Sequence, residues 1–215
     1  MIFKGAYISV GSCDSANKSS YQNVYNLCLS PPEADFNAIS KSYSVKDICA
    51  IIKKLIKSDR SVILSIGRKE ANNLSIAMQP DYAEGFTLSI KNFFSKVQAQ
   101  TVSKENPYGT TLSGVNIDWQ PNNGEWTILN GTNARQILQN YLNFIKLLKI
   151  TLLAKVEVTV PAKPDIIKKI ESISPGFWAK LSGMVSEIDI KTYNYHNSAD
   201  IASLNEFCSN SMQLL

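Results

Sequence analysis

Short apolar segments alternate with amphipathic helical segments along this chain, and this alternation restricts its fold more than any other feature. The run from Ser61 to Gly67 is almost entirely apolar, as expected for a parallel strand that is buried on both faces. The segment from Tyr82 to Val102 follows it with apolar residues at helical intervals. Strands that alternate with helices favour right-handed βαβ units, so the sequence predicts an α/β fold with a parallel sheet.

The same patterns predict six strands and five helices. The predicted strands are Phe3 to Val10, Asn23 to Leu29, Ser61 to Gly67, Leu112 to Trp119, Lys155 to Val160 and Glu187 to Tyr193. The predicted helices are Val45 to Lys57, Tyr82 to Val102, Asn133 to Leu153, Asp165 to Ile173 and Ala199 to Cys208. Periodicity does not separate an open sheet from a closed barrel, because both give this alternation.

The fourth predicted strand carries polar residues at alternate positions. Side chains alternate between the two faces of a strand, so Asn116, Asp118 and Gln120 are expected on one face. Three polar groups on one face of a buried strand are costly unless they serve a purpose. We therefore predict that they form the floor of a site.

The run from Leu112 to Gln120 resembles the signature strand of glycoside hydrolase family 18, the chitinase family, whose pattern is Asp-Gly-x-Asp-x-Asp-Trp-Glu. Gly114, Asp118 and Trp119 match this pattern. The pattern's other acids are replaced, and the replacements are Ser113, Asn116 and Gln120. The frame of the motif is retained while most of its acids are absent.

Two further strands resemble motifs of the same family in the same order. Ser65 and Gly67 match the Ser-x-Gly-Gly motif, with Arg68 at its last position. Tyr193 matches the Met-x-Tyr-Asp motif, in which Asn194 replaces the aspartate. The resemblance covers nearly the whole chain and implies a (β/α) barrel of the TIM type.

The resemblance implies eight strands, and such a barrel typically needs about 250 residues. This chain has 215 residues and about six predicted strands. We therefore expect residues 1–215 to form a single chitinase-like barrel domain that is truncated after the sixth strand, whether the chain is complete or a fragment. An open barrel leaves strand edges unpaired, which predicts self-association or a protein partner that covers them.

The residue at position 120 decides the chemistry that this resemblance implies. In the family the terminal glutamate is the general acid, and the substrate's own N-acetyl group replaces the nucleophile. Gln120 offers an amide, which donates and accepts hydrogen bonds but has no titratable proton. We expect it to hold a sugar oxygen without protonating it, so no catalytic residue is assigned to the Ser113, Asn116, Asp118 and Gln120 positions.

The resemblance also implies a set of ligand-binding residues, which are Asp118, Gln120, Trp126, Tyr193 and Asn194. Asp118 would orient an N-acetyl group, and Tyr193 would donate a hydrogen bond to its carbonyl. The alternative for Asp118 is an interior carboxylate held by neighbours such as Asn116, or paired with Lys191 across the barrel. For Trp126 the alternative to sugar stacking is packing within its loop.

One acid near the motif is a candidate replacement for the missing general acid. Glu125 follows the turn after Gln120 and precedes Trp126, and desolvation beside an aromatic ring raises the pKa of a carboxyl group. A solvated loop glutamate is the competing interpretation, because a general acid must reach the leaving oxygen.

Composition and the absence of known motifs disfavour several other functions. The net charge of +4 arises from 22 basic and 18 acidic residues, and the basic residues are scattered, which disfavours nucleic-acid binding. Neither a metal nor a cofactor is predicted, because no nucleotide-binding motif is present and the cysteines and single histidine lack metal-site spacing. These residues are Cys13, Cys28, Cys49, Cys208 and His196.

The amino terminus and the hydropathy bear on location. Met1 leads directly into a predicted strand without the apolar region of a signal peptide. No apolar run approaches the roughly 20 residues that span a membrane. The compartment is left open between the cytoplasm and export by a signal-independent route.

These observations predict a catalytically inactive chitinase-like protein, a pseudo-glycosidase that serves as a carbohydrate-binding or protein-interaction scaffold. Its ligand would be a chitooligosaccharide or another N-acetyl sugar. The alternative is a weak glycoside hydrolase that acts on N-acetylglucosamine polymers through a displaced acid. A purely structural subunit is the third hypothesis.

Overall fold

Five parallel strands form one sheet in the computed structural model, which describes residues 5–10, 53, 61–68, 72–119, 131, 133–161 and 163–191. Each strand pairs with the next one along the chain, in the order β1-β2-β3-β4-β5. The strands are β1 (Gly5–Val10), β2 (Ser61–Arg68), β3 (Gly114–Trp119), β4 (Lys155–Pro161) and β5 (Glu187–Lys191). The predicted α/β class with a parallel sheet is confirmed.

Five helices are defined in the described ranges between these strands. They are α1 (Asn72–Ala77), α2 (Pro80–Thr101), α3 (Ala134–Leu152), α4 (Pro164–Ile173) and α5 (Phe177–Ser182). The helices α2 and α4 both begin with a proline followed by an aspartate. Proline is pre-organised for the first helical position, and an acid in the first turn favours the positive end of the helix dipole.

The hydrophobic core lies between one face of the sheet and the helices. Alternate strand residues such as Val115 and Ile117 belong to this core, together with Phe86 of α2 and Phe144 of α3. The rings of Phe86 and Phe144 stack with their centroids 5.7 Å apart, so α2 and α3 pack side by side over the sheet. All six residues of β3 are buried, because the strand lies in the middle of the sheet.

The observed bounds agree with the predicted ones to within one or two residues for α2, α3, α4 and β4. The strand β3 begins two residues later than predicted. The structure adds two short helices that the sequence analysis missed, α1 and α5. The predicted strand at Asn23 to Leu29 and the predicted helix at Ala199 to Cys208 lie outside the described residues, and of the predicted helix from Val45 to Lys57 only Lys53 is described, as helical.

None of the helices in the described ranges is both long enough and apolar enough to cross a membrane.

Candidate functional site

The face of the sheet that turns away from the helices carries most of the polar strand residues, and we call it the inner face. In β3, Val115 and Ile117 lie in the core against the helices. Asn116 and Asp118 alternate with them, so their side chains lie on the opposite face. Polar residues also occupy the positions of this face on the neighbouring strands: Ser65, Glu157, Thr159 and Asp189.

Asn116 lies at the centre of a hydrogen-bond network on the inner face. Its Nδ2 donates to Oδ2 of Asp189 at 2.8 Å. Its Oδ1 accepts from the hydroxyl of Thr159 at 3.0 Å and from the hydroxyl of Ser65 at 3.4 Å. The side chain of Asn116 therefore connects four adjacent strands, from β2 to β5, and the residue is only 2% exposed.

The amide at position 116 suits this network because it both donates and accepts. A carboxylate such as that of Asp189 only accepts, so its neighbour at 2.8 Å must be a donor. The family pattern has an aspartate at this position, which would set two carboxyl groups against each other. Asn116 instead donates a hydrogen bond to the carboxylate of Asp189 and adds no charge.

Asp118 lies on the same face at the carboxyl end of β3, and it is 8% exposed. Its register partner on β2 is Gly67, which has a φ of 126°. A Cβ atom at Gly67 would collide with the carbonyl oxygen of Asp118. Only a glycine lets β2 approach the backbone of Asp118 this closely in this conformation.

Aromatic residues on the helix-facing side of the sheet hold the carboxyl end of β3. The indole Nε1 of Trp119 donates to Oγ of Ser75 in α1 at 2.9 Å. The indole ring stacks on Tyr141 of α3, with centroids 5.0 Å apart, and Tyr141 stacks on Phe177 at 6.2 Å. Burial, and then the negative charge of Asp118, raise the pKa of the Tyr141 hydroxyl far above its ordinary value.

Two acids of the inner face were not among the predicted site residues. Glu157 is 1% exposed and lies opposite Asn116 in the register of β3 and β4. Asp189 accepts the hydrogen bond of Asn116 from two strands away. The signal in the sequence was the alternation within Lys155 to Val160 and within Glu187 to Lys191, which places acids on the polar face of otherwise apolar strands.

The structure brings together two of the predicted site residues, Asn116 and Asp118. Ser113 lies just before β3, at its other end, where its backbone N–H donates to Val62 at 2.8 Å. Asp118 is five residue steps further along the strand, a distance of about 16 Å at the usual rise. The remaining predicted site residues lie outside the described residues, and these are Gln120, Glu125, Trp126, Tyr193 and Asn194.

A cavity of about 500 Å³ opens at the opposite end of the sheet from Asp118. Lys53, Thr101, Glu105 and Asn106 are among the residues that line it. The loop side chains there bond to one another, as in the 2.9 Å hydrogen bond from Ser103 to Glu105. Nowhere in the described part of the chain do three or more His, Cys, Asp or Glu side chains group so that they could hold a metal ion.

The overall fold is similar to that of solved chitinase domains. One is the second catalytic domain of Group II chitinase from Ostrinia furnacalis, with a TM-score of 0.52 and 17% sequence identity. Another is a mutant of that domain "in complex with PENTA-N-ACETYLCHITOOCTAOSE (NAG)5", with the same TM-score and identity. In both, the match covers 72% of this chain and 37% of the chitinase chain.

No protein-family model and no curated protein sequence matches the chain. At 17% identity the structural likeness concerns the fold alone. Over the matched part, the protein thus has a chitinase-like α/β fold of the TIM-barrel kind. The chain spans about a third of the length of these chitinase chains.

Proposed function

We propose that this protein is a chitinase-like barrel protein that binds an N-acetylated sugar without hydrolysing it. The observation that carries the proposal is that the buried side chain of Asn116 is hydrogen-bonded to residues of the neighbouring strands. At a position that is acidic in the family motif, the chain has a neutral amide whose polar atoms are bonded to its own strands. The polar face thus contributes to the hydrogen bonding of the sheet, while the motif segment has fewer acids than the family pattern.

Sugar binding is supported by the place of Asp118. Ligands of (β/α) barrels bind at the carboxyl ends of the strands, and Asp118 lies at that end of β3. A carboxylate accepts the hydroxyl and amide hydrogens that an N-acetyl sugar offers. The similar chitinase structure that was solved with (NAG)5 suggests chitooligosaccharides as the first ligands to try.

Loss of hydrolysis is supported by the identity of residue 120. Glycoside hydrolysis requires a group that protonates the leaving oxygen, and the glutamine side chain has no titratable proton. The competing hypothesis of a displaced acid concerns Glu125, five residues further along the chain.

A protein-interaction role is the second candidate function. It is favoured by the order of the described sheet, in which β1 and β5 are the outer strands. Any edge of these strands that is left unpaired would be open to a partner or to a second copy. In that case the polar inner face would serve stability alone.

The test is a calorimetric titration of the chain with chitotriose, together with an assay for released product. We expect binding without turnover, and loss of binding in Asp118→Ala but not in Asp165→Ala, which alters an exposed acid of α4. Turnover that Glu125→Gln abolishes would establish the displaced-acid alternative. If the sugar does not bind and the chain forms a stable complex with another protein or with itself, the interaction role replaces the proposal.

A further inference from the structure

Exposed apolar side chains are concentrated where the strands begin, at the opposite end of the sheet from Asp118. Of the five large apolar side chains that are exposed in the described ranges, four lie there. They are Val102 (50% exposed), Tyr108 (84%), Ile150 (62%) and Leu153 (90%), and we call this set the amino-end rim. The fifth, Leu88, lies further from this end, on α2.

The two parts of the rim lie in the connections that enter two adjacent strands, β3 and β4. Val102 and Tyr108 belong to the connection from α2 to β3, while Ile150 and Leu153 belong to the end of α3 and its turn into β4. The connections meet where the backbone N–H of Lys155 donates to the carbonyl of Ser113 at 3.2 Å. The two connections therefore enter adjacent strands at the same end of the sheet.

Leu153 has a backbone conformation that is unfavourable for leucine. It terminates α3 with φ 51° and ψ 31°, the left-handed conformation, which glycine and asparagine adopt far more readily than leucine. At 90% exposure, its side chain gains almost no packing in the folded chain. Backbone strain without a compensating contact tends to occur at functional positions.

The rim is bordered by positive charge. Lys146, Lys149 and Ile150 are spaced i, i+3 and i+4, so they lie on one side of α3, and Leu153 follows at the end of the helix. All four are exposed. The helix carries three basic residues and no acid. Lys155 follows the turn, which places lysines on both sides of the exposed leucine.

Among the described residues at this end, acidic side chains are fewer than lysines. Lys104 adds a further exposed cation in the α2–β3 connection, and Lys53 lines the adjoining cavity together with Val102. Glu105 accepts a hydrogen bond from Ser103. Another acid at this end is Glu187, which begins β5.

We propose that the amino-end rim docks the protein onto the surface of an anionic lipid membrane. Isolated apolar side chains at the tips of turns can enter the interfacial layer of a bilayer, and tyrosine is favoured at that depth. Lysines beside them gain energy from anionic headgroups without any specific geometry. A protein partner would instead require a contiguous, shape-complementary patch, whereas here lysines separate the apolar tips.

The proposal is independent of sugar binding but has a consequence for it. Asp118 lies at the other end of the sheet from the rim. A chain docked through the rim would thus present the carboxyl ends of its strands to the solvent.

The experiment is co-sedimentation of the full chain with vesicles of phosphatidylcholine, with and without phosphatidylserine. We expect binding only with phosphatidylserine, and weaker binding at high salt because exposed charges are screened. Leu153→Asn keeps the left-handed backbone and is expected to weaken binding by about tenfold. Its matched control is Leu88→Asn, which alters an exposed leucine outside the rim and is expected to change nothing.

A second pair of variants tests the charges. Replacing Lys149 and Lys155 by glutamine is expected to weaken binding by about fivefold for each lysine. Lys163→Gln, at the opposite end of the sheet, is expected to leave it unchanged. Absence of binding, equal binding to pure phosphatidylcholine, or insensitivity to Leu153→Asn would each overturn the proposal. Light scattering that shows an oligomer which Leu153→Asn dissociates would overturn it too, by making the rim an interface between copies.

Discussion

The side-chain amide of Asn116 donates a 2.8 Å hydrogen bond to the carboxylate of Asp189, two strands away in the sheet. Thr159, on the strand between them, donates to the oxygen of the same amide. The two residues are separated by 73 positions in the sequence. This hydrogen bond links β3 to β5, and only one of its two partners is a carboxyl group.

Restoring the acid of the family motif at this position is expected to destabilise the fold. In Asn116→Asp, a buried carboxyl group would face the half-buried carboxyl group of Asp189 at hydrogen-bond distance, and an uncompensated buried charge costs about 3 kcal/mol or more. Repulsion would raise the carboxyl pKa in the folded state above its unfolded value. The loss of stability is therefore expected to be large at about pH 7 and to shrink as the pH falls toward about 5.

Urea unfolding at the two pH values measures this effect. Asn143→Asp is the matched control, because Asn143 is an exposed residue of α3 and surface substitutions usually change stability by less than about 0.5 kcal/mol. Equal stabilities of Asn116→Asp and the unaltered protein would show that the hydrogen bond from Asn116 to Asp189 is not needed for stability.

Replacing Gly67 by alanine is expected to lower the stability of the fold much more than the same replacement at Gly176, which also has a positive φ. Gly67→Ala would push a methyl group into the backbone of Asp118, at a cost of about 3 kcal/mol or more from strain and displaced strands. Gly176 has φ 73°, and nothing lies within 4 Å of a Cβ built there. Gly176→Ala is thus expected to cost only about 1 to 2 kcal/mol, and thermal unfolding that gave the two variants equal losses would refute the steric argument.

The hydrogen bond between Trp119 and Ser75 is expected to couple α1 to the end of β3. Ser75→Ala leaves the buried indole N–H without its acceptor, a loss of about 1 to 3 kcal/mol. Trp119→Phe removes the donor and retains a ring against Tyr141. A double-mutant cycle of unfolding free energies is expected to give a coupling of about 1 kcal/mol; strict additivity would mean that the bond contributes nothing.

Alkaline pH is expected to destabilise the protein through Tyr141. Burial and the charge of Asp118 raise the pKa of its hydroxyl above the ordinary value of 10.0. Because the folded pKa exceeds the unfolded one, the contribution of the neutral hydroxyl to stability is complete below pH 10 and is lost as the pH rises further. Urea unfolding of the protein and of Tyr141→Phe across this range is expected to show a steeper decline for the protein; parallel declines would contradict the assignment.

The sequence was sufficient to predict the elements that have a long periodic pattern. The helices α2 and α3 each repeat their apolar spacing over five or more turns, so their existence and bounds could be predicted from sequence alone. The polar face of β3 could also be predicted, because alternation places Asn116 and Asp118 together whatever their partners are. The short helices α1 and α5, of six residues each, span too few turns to show a period.

The partners of the inner-face residues could not be predicted. That Asn116 would contact Asp189 depends on the registers of β3 with β4 and of β4 with β5, and a one-residue shift in either register would break the contact. The burial of Glu157 depends on the same registers. The resemblance suggested that Gly67 matters, while the steric reason required the position of the Asp118 backbone.

The in-order sheet has a consequence for how the chain assembles during synthesis. Because each strand pairs with the one that precedes it, β1 to β4 can associate as they leave the ribosome, with each new strand adding to the edge already formed. Asn116 belongs to the third strand of this series, while Asp189 arrives with the fifth. Until β5 adds, water must satisfy the amide donor of Asn116, so the arrival of β5 completes the hydrogen bonding of this buried amide in the nascent chain.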